Sequence, residues 1–437
     1  MAKSLFCKTC LVLALSAQFA YADELTDRAK NHLDSGSAVE AFRLLEPVEA
    51  ERAGDVEFDL ILGVAAVNCG QNTRGVFALE RVLSVQPQNA RARAEIARAY
   101  LGLGETTVAK QEFEVVQRQG VPSEISATID RFLDAVDRVE EVSRTTARGY
   151  IEGALGYDNN VNSATSRNTI AIPGFGGLPF RLSDDSRAHD AGLATVGAGI
   201  NFRSPFSADS ALVGGLSGLV RNNFGADQFD SRNLDVYAGI VVTSDRHVFS
   251  VNAQFNQYDM SDDRYRTATG LSGQWQFNRD ARNQFSLYLQ YANLHYPLQS
   301  IRDADRWLIG GAYAHAFREG SVVYASGYAV SERAKDGDVP WLGFSGVGVR
   351  VGGQINVGAR TSLFASAMVE YRHHNDEDPS FLNTRTDQQY DVVLGASFTP
   401  ARHWQITPKY TWTYNDSNSD LNGYRRQSVS VTVRRDF

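Results

Sequence analysis

Residues 427–437 read QSVSVTVRRDF, and within this stretch apolar and polar side chains alternate. The apolar positions are Val429, Val431 and Val433, and hydroxyl-bearing residues occupy the positions between them. Successive side chains of a β-strand point to opposite faces, so a period of two predicts a strand with one apolar and one polar face.

The same alternation recurs along the chain from about residue 148 to its last residue. Segments of about ten residues, each with one apolar face and separated by turns, are typical of a transmembrane β-barrel. Fourteen such segments are predicted, and an even number suits a bacterial outer-membrane barrel. They begin near Arg148, Ala188, Ser210, Arg232, Arg246, Arg264, Asn283, Ala304, Ser321, Leu342, Thr361, Thr386, Arg402 and Arg425.

The connections between these segments alternate in length. Short turns such as 203–205 and 244–246 alternate with longer, more acidic stretches such as 159–187 and 374–385. Outer-membrane barrels have short periplasmic turns and longer extracellular loops, so this alternation favours a barrel. A soluble β-sandwich is the alternative, but it explains neither the aromatic residues near segment ends nor Phe437, which we interpret as a barrel-insertion terminus.

The first residues have the pattern of a secretory signal peptide. Lys3 and Lys8 precede a short apolar run, and Ala20 and Ala22 form an A-x-A cleavage site. We therefore predict a signal peptide over 1–22 and export of the mature chain from the cytoplasm.

Residues 23–143 show a helical repeat. Gly36, Gly70 and Gly104 are 34 residues apart, and a proline falls near the end of each unit. This is the tetratricopeptide (TPR) pattern, in which the glycine permits the turn between two antiparallel helices. An unrelated helical domain with accidental spacing is the alternative. We predict a periplasmic TPR-like domain over 23–143 with a concave peptide-binding face, followed by the barrel over 148–437, an α+β two-domain architecture.

Composition excludes several classes of protein. Mean hydropathy is -0.30 and no run of eighteen apolar residues occurs, which excludes a polytopic helical membrane protein. The net charge of -8 gives no basic footprint for nucleic acid. Only Cys69 remains after the predicted cleavage, so an internal disulfide is excluded.

One cluster has residue types that bind metals. It lies in the predicted loop 374–385 and at its border, and its members are His373, His374, Asp376, Glu377 and Asp378. Tetrahedral zinc sites need ligands at defined spacing, so we expect an acidic loop that holds divalent ions loosely and no dedicated metal site.

Sequence patterns for catalysis and cofactor binding are weak. The glycine-rich stretch 173–179 lacks the Lys-Ser/Thr of a phosphate loop, and we interpret it as a surface loop or, as the alternative, a lumen gate. Ser272, His295 and His315 supply the residue types of a hydrolase, but nothing in the sequence brings them together. We predict no catalytic residue, no cofactor and no enzyme.

Both ends of the predicted barrel resemble one protein family. Tyr150 to Tyr157 and the Asn-rich stretch after it resemble the first strand of the surface lipoprotein assembly modifier (Slam) family, and 424–437 resembles that family's final strand. The motif at the junction consists of Tyr157, Asp158, Asn159, Asn160, Val161 and Asn162.

The resemblance implies an outer-membrane translocon of a Gram-negative bacterium that delivers surface lipoproteins or secreted proteins. The implied partners are a client protein, a periplasmic chaperone, outer-membrane lipid and lipopolysaccharide, and the barrel-assembly machinery during biogenesis. We hypothesise a seam between 150–157 and 427–437 that opens laterally. A diffusion porin or an envelope scaffold with a periplasmic interaction domain is the alternative.

Overall fold

A computed structural model describes residues 24–317 and 320–437. The predicted signal peptide, with Ala20 and Ala22, lies outside the described residues. The chain divides into two compact units at residues 140 and 141, close to the predicted domain boundary at 143–148.

The first unit is helical. Asp55 caps α4 by accepting hydrogen bonds from the backbone N–H groups of Glu57 and Phe58, and Asn89 caps α6 in the same way. Among the described residues, no helix is both long and apolar enough to cross a membrane. The helices are α1 (24–34), α2 (Ala38–Leu45), α3 (Glu49–Arg52), α4 (Val56–Asn68), α5 (Asn72–Val85), α6 (Ala90–Gly102), α7 (Thr106–Arg118) and α8 (Ser123–Ser143).

The three glycines of the repeat lie in the turns between consecutive helices. Gly36, Gly70 and Gly104 have φ angles of 79°, 85° and 81°. A side chain disfavours this left-handed conformation, so glycine is the residue that makes these turns without strain.

Small residues let the helices approach closely. A Cβ at Gly75 of α5 would lie 2.6 Å from Cγ2 of Val67 in α4. Phe58, Leu79 and Phe113 are fully buried, and each belongs to one of three successive hydrophobic clusters along the unit. Each cluster is formed by neighbouring helices, as in a stacked solenoid.

The second unit is a closed barrel of fourteen antiparallel strands, which confirms the predicted fold. Its strands run β1, β4 to β16 in order, and β16 pairs with β1. The strands are β1 (Thr146–Asp158), β2 (Thr169–Ile172), β3 (Leu178–Arg181), β4 (Ala191–Pro205), β5 (Ser210–Phe224), β6 (Ser231–Ser244), β7 (His247–Met260), β8 (Asp263–Asn278), β9 (Asn283–His295), β10 (Ala304–Ala316), β11 (Val322–Ala334), β12 (Phe344–Asn356), β13 (Thr361–Asp378), β14 (Asn383–Phe398), β15 (Trp404–Ser417) and β16 (Tyr424–Asp436).

Every barrel strand begins within three residues of its predicted start. The hairpin β2–β3 was not predicted, and it lies outside the barrel ladder as a separate two-stranded sheet. Outward positions carry exposed apolar side chains such as Leu155, Val251 and Val431, as a lipid-facing surface requires.

Two predicted connections were wrong in their bounds. Residues 203–205 belong to β4, and the turn follows at 206–209. The predicted loop 374–385 is mostly strand, because β13 extends to Asp378 and β14 begins at Asn383. Polar side chains do not prevent backbone pairing, so hairpins continue past the apolar belt.

Candidate functional site: the barrel seam

The seam between β1 and β16 has the shortest ladder among the described barrel strands. It joins nine residue pairs, from Tyr150 with Asp436 to Asp158 with Ser428. The next shortest, β14–β15, has ten pairs, and β13–β14 has fifteen. The strands of the hypothesis are therefore paired in the structure, and their ladder has the fewest residue pairs.

Charged groups reinforce one end of this short ladder. The Asp158 carboxylate, at the end of β1, is fully buried and accepts hydrogen bonds from Nε and Nη2 of Arg426 in β16, with Nη2 at 2.6 Å. Arg221 of β5 donates to the same carboxylate at 3.0 Å. A buried carboxylate paired with two guanidinium groups is a strong, directional link across the seam.

Two asparagines complete the link through backbone groups. Asn159 Oδ1 accepts from the backbone N–H of Gln427 at 2.7 Å, and the N–H of Asn159 donates to the Gln427 carbonyl at 3.0 Å. The buried Asn160 amide donates to the carbonyls of Arg425 and Ala164. We name Asp158, Asn159, Asn160, Arg221 and Arg426 the seam clasp.

The rest of the motif organises the base of the following loop. Tyr157 donates its hydroxyl hydrogen bond to Asp190 at 2.7 Å, and the N–H of Val161 donates to the carbonyl of His189. Asn162 donates to the Arg187 carbonyl and accepts from the His189 N–H. These contacts hold the two ends of the loop 159–190 together beside the clasp.

This loop, which we name the strap, crosses above the β15–β16 hairpin. Arg167 forms an exposed ion pair with Asp420 of the β15–β16 loop, and the N–H of Gly174 donates to the carbonyl of Ser380 in the β13–β14 loop. The glycine-rich stretch 173–179 lies at the tip of the strap, where Phe175 is 63% exposed. The strap therefore crosses the seam beyond the end of the β1–β16 ladder.

The opposite end of the seam carries a second, looser set of contacts. Gly149 and Phe437 exchange two backbone hydrogen bonds, and the Phe437 side chain remains exposed. Inside the barrel, the Arg434 guanidinium stacks on the Tyr150 ring at 3.8 Å and lies 3.5 Å from Glu152.

The ladder on the other side of the β15–β16 hairpin is interrupted at a proline. In β14–β15, pairing runs to Gly395 with Lys409 and resumes at Phe398 with Ile406, without a register shift. Two residue pairs are missing from the ladder here. An N–H at position 408 would donate a hydrogen bond to the Ala396 carbonyl and restore them. Pro408 has no N–H, so the β15–β16 hairpin is bordered on both sides by weakened ladders.

The profile of one family, described as "Surface lipoprotein assembly modifier", matches residues 149–437. This match covers the barrel except for the first three residues of β1, and it includes both sides of the seam clasp. The chain belongs to the surface lipoprotein assembly modifier family. As a Slam family member, it is an outer-membrane β-barrel protein.

Comparison with curated proteins found no match. Among solved structures, the barrel is similar to the outer membrane channel DcaP of Acinetobacter baumannii, with 13% identity and a TM-score of 0.40 over 67% of this chain and 97% of that one. A Pseudomonas aeruginosa FadL homologue has 10% identity and a TM-score of 0.37, over 67% and 90%. The helical part is similar to the Yersinia enterocolitica type III secretion translocator chaperone SycD, with 22% identity and a TM-score of 0.25, over 27% and 93%.

The other candidate residues are dispersed in this Slam family member. His373, His374 and the acidic residues after them lie in β13, which bulges between His373 and Glu377. Among residues 24–317 and 320–437, no three His, Cys, Asp or Glu side chains are grouped to hold a metal ion. The three residues of hydrolase type each bond a different neighbour: Ser272 with Gln254, His295 with Asp303, and His315 with Asn283.

The clasp includes one residue, Arg221, that no sequence pattern predicts. Arg221 lies in β5, two strands away from β1, and no local pattern distinguishes it from the other arginines. Its role depends on the stagger of three strands, which a sequence period does not specify. Arg426 lies in the C-terminal segment that carries the family resemblance, but its pairing with Asp158 was not predicted.

Proposed function

We propose that this protein is an outer-membrane translocon that delivers client proteins, surface lipoproteins or secreted proteins, across the outer membrane. The observation that carries the proposal is the seam, which has the fewest ladder pairs and is held at one end by a polar clasp. Family membership agrees with this role. It needs no catalytic step and no cofactor.

The proposed mechanism depends on the strand edges that an opened seam exposes. Separation of β1 from β16 exposes two strand edges whose N–H and C=O groups have lost their partners. An incoming client strand can pair with such an edge by β-augmentation. Because an unpaired edge cannot persist in lipid, the client strand must replace the seam pairing as it is lost.

In this mechanism the clasp and the strap hold the resting state. The clasp is held by polar groups, those of Asp158, Arg221 and Arg426, so its separation breaks no apolar packing. After separation, water or a client can form hydrogen bonds with these groups. The helical unit, which we place in the periplasm, docks the client or a chaperone that carries it. Its stacked helix pairs suit recognition of an extended peptide.

The test compares surface-shaved and secreted proteomes of wild-type and deletion cells. We expect loss of one or a few defined proteins, restored by the full gene and not by a barrel lacking 23–143. A matched complementation with Asp262→Asn, a change in an exposed ion pair away from the seam, is expected to restore delivery fully.

An unchanged proteome would overturn the translocon proposal. Small-solute uptake by the same strains then separates the two alternatives, because a diffusion porin changes uptake and an envelope scaffold does not. If the barrel alone restores delivery, the helical unit is not required for client docking.

A further inference from the structure

An apolar pocket of about 560 Å³ lies in the helical unit between α6 and α8. One wall is a stripe along α6, in which Ala90 and Ala94 leave room for a guest side chain. The other wall is a stripe along α8 with large residues, among them Ile125, which is 47% exposed, and Ile129. Its volume falls within the range of small-ligand sites.

The floor of the pocket is rigid. Phe113 of α7 is buried and stacks on Phe132 of α8, with ring centroids 5.3 Å apart and planes inclined by 6°. Aromatic pairs in this arrangement add packing energy beyond the area that they bury. The pocket is therefore a preformed surface for an apolar side chain, and it does not depend on repacking of the unit.

The rim has a net positive charge, because Arg91 and Arg98 face a single carboxylate, that of Glu95. Arg91 is exposed and lines the pocket, and Arg98 holds a position beside Phe132 through hydrogen bonds to Glu95 and Asn68. Burial raises the pKa of Glu95, against the opposing charges of Arg98 and Arg91. The unit as a whole is acidic, with 21 acidic against 13 basic residues in 24–143.

We propose that this pocket binds an extended client segment in which a bulky apolar side chain stands next to an acidic residue. The inference rests on the proposed function, since it names the chemistry of the client that the helical unit docks. The apolar side chain enters between Ala94 and Ile129. The acidic neighbour reaches the exposed Arg91 guanidinium at the rim, because guanidinium groups favour carboxylates, whereas Arg98 is already paired with Glu95.

Charge complementarity selects this occupant. A basic residue beside the anchor would meet the exposed Arg91 at the rim, and an uncharged apolar segment would leave Arg91 without a partner. The acidic surroundings repel a segment with many carboxylates, so a single acid beside the anchor is the best match. The apolar anchor supplies most of the affinity, and the acid supplies the specificity.

The test measures fluorescence anisotropy of labelled peptides with full-length protein in detergent micelles. One fluorescein-labelled eight-residue peptide carries a central Phe-Asp pair in a Gly/Ser background, and its partner carries Phe-Lys. We expect the Phe-Asp peptide to bind at least tenfold more tightly. Equal affinities of the two peptides would overturn the proposal.

Two variants locate the binding site. Arg91→Glu changes an exposed residue, and we expect it to remove the preference for Phe-Asp. Arg43→Glu, at an exposed position of α2, should keep the preference. Ala94→Phe fills the pocket and should weaken both peptides at least tenfold, and Ala50→Phe should not. Unchanged peptide binding in Arg91→Glu and Ala94→Phe would overturn the assignment.

Peptide binding and delivery are measured separately, so the two proposals fail in different ways. Peptide discrimination that Arg91→Glu abolishes, together with an unchanged deletion proteome, supports the pocket and overturns the translocon. Client loss on deletion without peptide discrimination supports the translocon and overturns the pocket.

Discussion

Asp158 lies at the centre of the clasp, where it accepts hydrogen bonds from both Arg221 and Arg426. Its carboxylate is inaccessible to solvent, while Arg221 and Arg426 keep 22% and 29% exposure. Removal of the charge leaves two guanidinium groups facing a neutral amide. Because these arginines are partly hydrated, the cost is lower than for a fully buried pair.

We expect Asp158→Asn to destabilise local closure of the seam by about 2 kcal/mol, the range of a hydrogen bond to a charged group. This corresponds to roughly 30-fold faster amide hydrogen exchange at 425–430. Asp262→Asn, in an exposed pair with Arg232, is the control and should leave exchange unchanged. Equal protection in wild type and Asp158→Asn would show that the clasp does not hold the seam.

A second residue-scale prediction concerns the helical unit. Asp59 of α4 is fully buried, accepts from Nε and Nη2 of Arg81 in α5 and also accepts from the Gly54 N–H. Asp59→Asn should lower the free energy of unfolding of this unit by about 3 kcal/mol, because Arg81 loses its buried carboxylate partner and keeps only Glu49 at 3.2 Å. Urea unfolding of the full-length protein, followed by helical circular dichroism, measures the change. Glu57→Gln on the exposed face of α4 is the control, and an equal midpoint in both variants would contradict the prediction.

At the scale of elements, the β15–β16 hairpin lies between the two barrel ladders that have the fewest residue pairs. The nine-pair seam borders it on one side and the ladder interrupted at Pro408 borders it on the other. Its own two strands share twelve pairs, so the hairpin holds together while its borders are weak. Seam opening is therefore expected to move β15 and β16 as one unit.

Pro408→Thr restores the N–H that the ladder lacks at this position. We expect the new hydrogen bond to the Ala396 carbonyl to contribute about 1 kcal/mol and to slow amide exchange at 395–398 by roughly fivefold. In a translocon, client delivery should slow as well. Val431→Thr, at the paired outward position of β16, is the control. Unchanged exchange at 395–398 would mean that the interruption does not arise from the missing donor.

At the scale of the whole molecule, the decisive question is whether the closed barrel must open. Leu155 and Val431 are directly paired across the seam on its outward face, at a separation that a disulfide can bridge. In a Cys69→Ser background, Leu155→Cys with Val431→Cys should block client delivery when oxidised and restore it on reduction. The control pair is Ala238→Cys with Ala253→Cys in β6–β7, which should deliver clients in both states. Delivery through an oxidised seam would exclude lateral opening.

The sequence by itself determined the two-unit organisation, because period and composition are local properties. Alternation in stretches such as 427–437 located the starts of all fourteen barrel strands to within three residues, and the spacing of Gly36, Gly70 and Gly104 located the helix turns. These signals depend on which face of one element is apolar, and a single strand or helix carries that information without its neighbours.

The tertiary structure alone decided how the strand ends meet. Asp158 and Arg426 lie 268 positions apart, and their contact requires closure of the ring and the observed stagger of β1 against β16. The same holds for Arg221, for the strap over the seam and for the continuation of β13 through His374 to Asp378. Register is a property of a pair of strands, so no single segment can encode these contacts.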